Sequence, residues 1–84
     1  MSINLALKYE RPVRSSVYHA PNNKNYVVRD VPNISLLKSL GIRKNSQVYK
    51  KRTYRLGGPV LLVVDAREIA LGKDIAEQII VEEA

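Results

Sequence analysis

The feature of this sequence that most constrains its fold is the uninterrupted apolar run Val60–Val64, which follows the glycine-rich stretch Leu56-Gly57-Gly58-Pro59. An apolar run of strand length without polar alternation meets apolar partners on both of its faces. We therefore expect a central strand in a small closed or sandwiched sheet. The glycine-rich stretch predicts a turn, and residues 47–55 before it predict the strand that forms a hairpin with Val60–Val64.

Three further strands are predicted from β-branched and apolar segments bounded by turn residues. They cover residues 26–31, 68–71 and 79–82. Pro32 ends the first of them, because proline donates no ladder hydrogen bond. Residues 13–18 predict an additional edge strand. Residues 1–24 as a whole predict a tail or edge segment, followed by a single domain over residues 25–84.

Two short helical segments complete the predicted element order. Asn33 or Ser35 caps a helix of at most two turns, which Gly41 ends by adopting a left-handed conformation. Asp74 and Glu77 have the spacing of a capping box, which predicts one helical turn before the last strand. The predicted fold is therefore mainly β, a small five-stranded β-barrel with one short helix after its first strand and a helical turn before its last.

The composition argues against most catalytic and metal sites. The 84 residues include no cysteine and a single histidine, His19. A thiolate metal site is therefore excluded, and His19 has no second imidazole with which to share a metal ion. No serine lies in a nucleophile-elbow pattern, and the carboxylates are scattered singly. We predict a protein that is not an enzyme and that binds no cofactor or metal.

The same composition bears on location. Absence of cysteine favours the reducing cytoplasm. The apolar stretches fall far short of the roughly 20 residues that span a bilayer, and charged residues begin too early for a signal peptide. We therefore expect a soluble, unexported protein of the cytoplasm.

The net charge of +6 is distributed unevenly along the chain. Residues 1–55 contain all but two of the 14 lysines and arginines, and only two of the eight acidic residues. This polarity suits nucleic acid, an anionic membrane surface or an acidic protein face, and it does not choose among them.

The most basic stretch is residues 49–55, with the sequence YKKRTYR. Strand alternation predicts that Lys50, Arg52 and Tyr54 share one side, and that Lys51 and Arg55 lie on the other. Cations interleaved with aromatic rings suit a single-stranded nucleic-acid platform. The same residues suit an acidic protein partner or a solvated face without a specific role. Candidate partner-binding residues are Lys50, Lys51, Arg52, Tyr54 and Arg55.

Six short motifs follow one another in order within residues 26–82. They are the helix ending in Leu40-Gly41-Ile42, then Gln47-Val48, Gly58-Pro59, Val60–Val64, Ile69-Ala70-Leu71, and Ala76 with Ile79 and Val81. In order and spacing this set resembles the FeoA-like family, the small SH3-like barrels associated with bacterial ferrous iron transport. The resemblance implies an SH3-like barrel.

The sequence departs from the family pattern in two predicted turns. Lys44-Asn45 stands where the family usually has Pro-Gly, and asparagine is the residue best able after glycine to hold a left-handed turn. Ala66 stands where a glycine is common, so the turn there must take a conformation that alanine tolerates.

The resemblance also implies a function. It implies a non-catalytic cytoplasmic module of ferrous iron uptake, whose usual partner is the membrane transporter with an N-terminal G domain. Such a module would bind the cytoplasmic face of the transporter and favour one of its conformations. Lys50, Lys51, Arg52 and Arg55 would contact an acidic patch, with Tyr54 as an anchoring ring.

Several further expectations follow from the resemblance or compete with it. The family is associated with transition-metal binding, for which this sequence offers no ligand set. A related barrel forms the C-terminal domain of iron-dependent repressors, but their DNA-binding and metal-sensing domains are not seen in this sequence. The alternatives are an SH3-like barrel that binds nucleic acid and a stand-alone adaptor for another protein.

Overall fold

The structure is a computed structural model that describes residues 13–84. The first part of the predicted tail, residues 1–12, lies outside the described residues. The elements in chain order are β1 (Arg14–Ser16), β2 (Lys24–Asp30), α1 (Ser35–Ser39), β3 (Gln47–Thr53), β4 (Val60–Val64), β5 (Arg67–Leu71), α2 (Lys73–Ala76) and β6 (Ile80–Glu83). The strands form one antiparallel sheet in the order β1-β6-β2-β3-β4-β5.

The sheet differs from the predicted barrel in strand number and in closure. It has six strands instead of five, because the edge strand predicted at residues 13–18 forms as β1 and pairs with β6. β6 has β2 on one side and β1 on the other, which leaves it no free edge for β5. The described sheet is therefore open, with β1 and β5 as its edges.

β4 lies inside the sheet, as its apolar run predicts. It pairs with β3 on one side and with β5 on the other. Val60, Leu62 and Val64 are buried in the core, while the two residues between them are half-buried. One face of β4 therefore lies fully in the core, and the other is covered in part.

The two helices begin at residues other than the predicted caps. α1 is capped by Ile34 and α2 by Gly72, and neither helix has a side-chain capping bond. Asp74 lies in the first turn of α2 and not at its cap. Leu37 is the buried residue of α1 and Ala76 that of α2, so packing on the core stabilises these short helices in place of a side-chain cap.

Gly41 and Asn45 behave as predicted, but Ala66 does not take the alanine-compatible conformation that the sequence predicts. Gly41 has a φ of +85° and follows α1, where a left-handed residue satisfies the helix end. Asn45 has a φ of +73°, so this asparagine holds the left-handed turn at the place where the family usually has Pro-Gly. Ala66 has a φ of +64° in the turn between β4 and β5, a conformation that is strained for alanine.

The segment between β1 and β2 packs on the core. Val17 and Ala20 are almost completely buried. Beneath them lies Lys50 of β3, whose side chain is 1% exposed. The Lys50 Nζ donates hydrogen bonds to the carbonyl oxygens of Tyr18 at 2.9 Å and of Ala20 at 2.5 Å. Burial lowers the pKa of the Lys50 amino group below its ordinary value.

Two hydroxyl groups reinforce this attachment. The Thr53 Oγ1 donates to the same Tyr18 carbonyl at 2.7 Å, and the Tyr26 hydroxyl donates to the Pro21 carbonyl at 2.6 Å. The segment before β2 is thus held by side chains of β2 and β3 that reach its backbone. The buried carbonyl of Ala20 and the partly buried carbonyls of Tyr18 and Pro21 therefore all have donors.

A second polar cluster joins three neighbouring strands. Glu82 of β6 accepts hydrogen bonds from the Nε of Arg14 on β1 at 2.6 Å and from the Nε of Arg29 on β2 at 2.7 Å. These two guanidinium groups, Arg14 first, lower the pKa of the Glu82 carboxyl below its ordinary value of 4.5. The cluster ties the edge strand β1 to the sheet.

We expect Lys50→Met to lower the free energy of unfolding by about 1–3 kcal/mol, because the buried Ala20 carbonyl loses its donor. Amide exchange of residues 17–20 should accelerate with it. Lys51→Met is the matched control, since Lys51 is half-buried and its pair with Glu68 is partly exposed. This control should change stability by no more than about 0.5 kcal/mol. Equal effects of the two variants in urea denaturation would contradict the role given to Lys50.

Glu82→Gln should change how stability depends on pH. The pKa of Glu82 is lowered in the folded state. The ionised carboxylate therefore stabilises the fold at pH values above its ordinary pKa of about 4.5, and this stabilisation is lost as the pH falls through the folded pKa. The variant should be less stable at pH 7 and should lose less stability on acidification. Urea denaturation at several pH values measures this, with Glu83→Gln as the control because Glu83 is exposed. Parallel curves for wild type and Glu82→Gln would refute the assignment.

Candidate partner-binding site

Most of the predicted basic stretch gathers around one shallow surface depression. The depression has a volume of about 350 Å³ and is lined by the end of β3, the start of the following turn and two residues that precede β2. Its lining residues are Asn22, Asn23, Lys51, Arg52, Thr53, Tyr54 and Arg55. We call it the basic concavity. It brings together four of the five predicted site residues.

Lys50 is absent from the basic concavity because its side chain lies in the interior. The pairing of β3 with β4 shifts register between Lys50 and Arg52, which is the mark of a bulge at Lys51. Lys50 comes before the bulge and faces inward, as Val48 does. Arg52 comes after the bulge and is exposed. The prediction that Lys50 and Arg52 share one side was wrong, since alternation does not continue through a bulge. In this structure Lys50 is not accessible to a partner.

The cations of the concavity differ in how they are neutralised. Lys51 forms an ion pair with Glu68 of β5. Arg52 and Arg55 have no ion pair among the residues that the structure describes. The guanidinium carbon of Arg52 lies 5.8 Å from the centroid of the Tyr54 ring, within the range of a cation–π contact. Within residues 13–84, the concavity thus presents two guanidinium groups without an ion pair beside an aromatic ring.

The two asparagines of the concavity were missed by sequence reasoning. Pro21-Asn22-Asn23 predicts a turn, but the sequence does not indicate which residues lie near that turn in the folded chain. Asn23 is placed by its backbone, since its N–H donates to the Lys50 carbonyl at 2.7 Å and its φ is +61°. Side-chain amides add neutral donors to the guanidinium groups, and such a set suits carboxylates or phosphates.

The turn between β3 and β4 fixes the outward residues of the site. The Gly58 N–H donates to the Arg55 carbonyl at 3.1 Å, and the Tyr54 N–H donates to the Pro59 carbonyl at 2.9 Å. A Cβ atom on Gly58 would lie 2.8 Å from the Cβ of Tyr54, so only glycine fits there. The turn exposes 44% of Tyr54 and the whole of Leu56.

The residues of the motifs that resemble the FeoA-like family occupy the framework around the site. Buried ones are Ile42, Leu71, Ala76, Ile79 and Val81, half-buried ones are Leu40, Gly41, Gly58 and Ile69, and exposed ones are Pro59 and Ala70. Most of them contribute to the core or to a turn.

Residues 13–84 contain neither a cluster of metal ligands nor a membrane-spanning helix. No group of three or more histidine, cysteine or acidic residues there is placed to hold a metal ion. His19 lies 3.8 Å from a single carboxylate, that of Glu77. In the same part of the chain, no helix is long and apolar enough to cross a membrane.

Comparison with known proteins decides the family. The sequence model of the FeoA domain matches residues 16–83. The chain belongs to the FeoA family. The matched region begins in β1, so it includes the segment that Lys50 holds. No curated protein matches the chain significantly.

Solved structures show that the FeoA-family chain has an SH3-like fold. An iron uptake regulatory protein, FeoA, superposes with a TM-score of 0.77 at 18% identity, over 86% of this chain and 99% of that one. The FeoA-like protein from Clostridium acetobutylicum gives a TM-score of 0.70 at 19% identity, over 88% and 90%. The manganese-activated repressor ScaR with bound zinc gives 0.76 at 23% identity. That match covers 89% of this chain and 39% of the repressor.

Proposed function

We propose that this FeoA-family chain is a non-catalytic cytoplasmic module of ferrous iron transport that binds and regulates the membrane transporter. Its partner is the cytoplasmic part of the transporter that carries the G domain. The observation that carries the proposal is the basic concavity, where Arg52 and Arg55 form no ion pair within the part of the chain that the structure describes. Family membership supplies the transport context.

The chemistry of the concavity favours an acidic protein surface. Guanidinium groups bind carboxylates in a planar, paired geometry, and the ring of Tyr54 adds contact area beside them. Arginine and tyrosine are the side chains that most often dominate the energy of protein interfaces. The concavity is shallow and open on the surface, which suits a protruding acidic segment better than an enclosed small molecule.

The way the site is built favours regulation by binding. The concavity is made from a strand end, a tight turn and a loop held by Lys50, so its shape is largely set before a partner arrives. A rigid module that contacts one conformation of the transporter more closely than another shifts the balance between them. No reaction on the module itself is needed.

Reversing the charges of Arg52 and Arg55 tests the proposal. Arg52→Glu combined with Arg55→Glu should weaken binding to the purified cytoplasmic part of the transporter at least tenfold at low salt, because attraction becomes repulsion. The difference should shrink at high salt. Isothermal titration calorimetry measures both affinities.

The matched control is Arg43→Glu with Lys44→Glu. It makes the same change in net charge, but these exposed residues line a different depression, with Asp65 of the turn after β4. Control and wild type should bind alike. Equal weakening by both double variants would show that binding depends only on net charge, and it would contradict the specific role given to Arg52 and Arg55. Binding of single-stranded RNA by the wild type, with no affinity for the transporter, would replace the proposal by the nucleic-acid alternative.

A further inference from the structure

Leu56 is a residue that the fold alone does not explain. Its relative exposure is 103%, so its side chain gains nothing from the core. Its φ is +58°, in the left-handed region that glycine and asparagine adopt readily and leucine rarely does. A strained backbone and a fully exposed apolar side chain are both unfavourable. Such an outlier in a well-defined turn points to a role outside the folded chain itself.

The surroundings of Leu56 extend the surface of the basic concavity. Arg55 on one side of Leu56 lines the concavity, and Gly57 on the other side lines a second cleft of about 510 Å³. The rest of that cleft comes from the start of α2, with Gly72, Lys73, Asp74 and Ile75. A Cβ atom on Gly57 would lie 3.8 Å from the Lys73 side chain, so the turn rests close to α2. Leu56 itself lines neither depression, but each of its two chain neighbours lines one of them.

We propose that Leu56 is the apolar anchor by which this chain docks on an acidic protein surface. In the complex Leu56 fills an apolar pocket of the partner, while Arg52 and Arg55 meet carboxylates around that pocket. The inference rests on the proposed function, and it adds to it the chemistry of the partner's surface. An apolar pocket with an acidic rim is the complement of an exposed leucine beside the guanidinium groups of Arg52 and Arg55.

A lipid surface is a poorer fit to the same observations. Leu56 with Arg52 and Arg55 gives only weak, reversible attraction to an anionic bilayer. A bilayer also gains nothing from the cleft beside α2 or from the fixed turn. Shape complementarity of that kind is used by a protein partner.

The variant Leu56→Asn separates binding from folding, because asparagine accepts the left-handed backbone. It should raise the melting temperature by about 2–5 °C and weaken binding to the purified cytoplasmic part of the transporter at least tenfold. Ala66→Gly is the matched control, since it relieves the same kind of strain in the turn between β4 and β5. This control should also melt higher, with wild-type affinity. Calorimetric titration and thermal melts give both readouts.

Each contrary outcome has a distinct meaning. If Leu56→Asn binds as wild type does while the Arg52 and Arg55 reversal does not bind, the anchor is overturned and the proposed function stands. If the wild type does not bind the transporter at all, both fail. A lower melting temperature for Leu56→Asn would assign the leucine to the fold and overturn the inference. So would loss of binding to phosphatidylserine vesicles with unchanged affinity for the transporter.

Discussion

The contact of the buried Lys50 amino group with the carbonyls of Tyr18 and Ala20 is the interaction on which the rest of the structure depends. It holds the segment before β2 against the sheet and thereby places Val17 and Ala20 in the core. The Lys50 carbonyl then accepts the Asn23 N–H, which positions one wall of the basic concavity. A lysine that no partner can reach therefore shapes the surface that a partner would meet.

Much of the fold follows from local signals that tertiary contacts leave unchanged. β4 has the predicted bounds because its apolar run is bounded by the glycine-rich turn before it and by Asp65 after it. Gly41 and Asn45 take positive φ values because few other residues do so easily. The number of strands and the residues that cap the helices did not follow from local signals. β1 is three residues long and exists through its pairing with β6, and α1 is placed by the burial of Leu37.

The candidate site was predictable in composition and not in arrangement. A run of cations and aromatic rings is visible in the sequence, but the bulge at Lys51 decides which of them face outward. The carbonyl partners of Lys50 lie far away in sequence, so nothing local marks this lysine as buried. The positive φ of Leu56 was not predictable either, because leucine rarely adopts the left-handed region. The sequence therefore indicates the cations and aromatic rings of the site, whereas pairing between strands decides how their side chains are arranged.

If the chain binds the transporter through one face, that face consists of the basic concavity, Leu56 and the cleft beside α2. The most direct measurement is the change in backbone amide chemical shifts of the labelled protein on addition of the purified cytoplasmic part of the transporter. We expect the changes to concentrate at residues 22–23, 51–58 and 72–75. Changes confined to α1 and residues 41–47, with the β3–β4 turn unaffected, would contradict it.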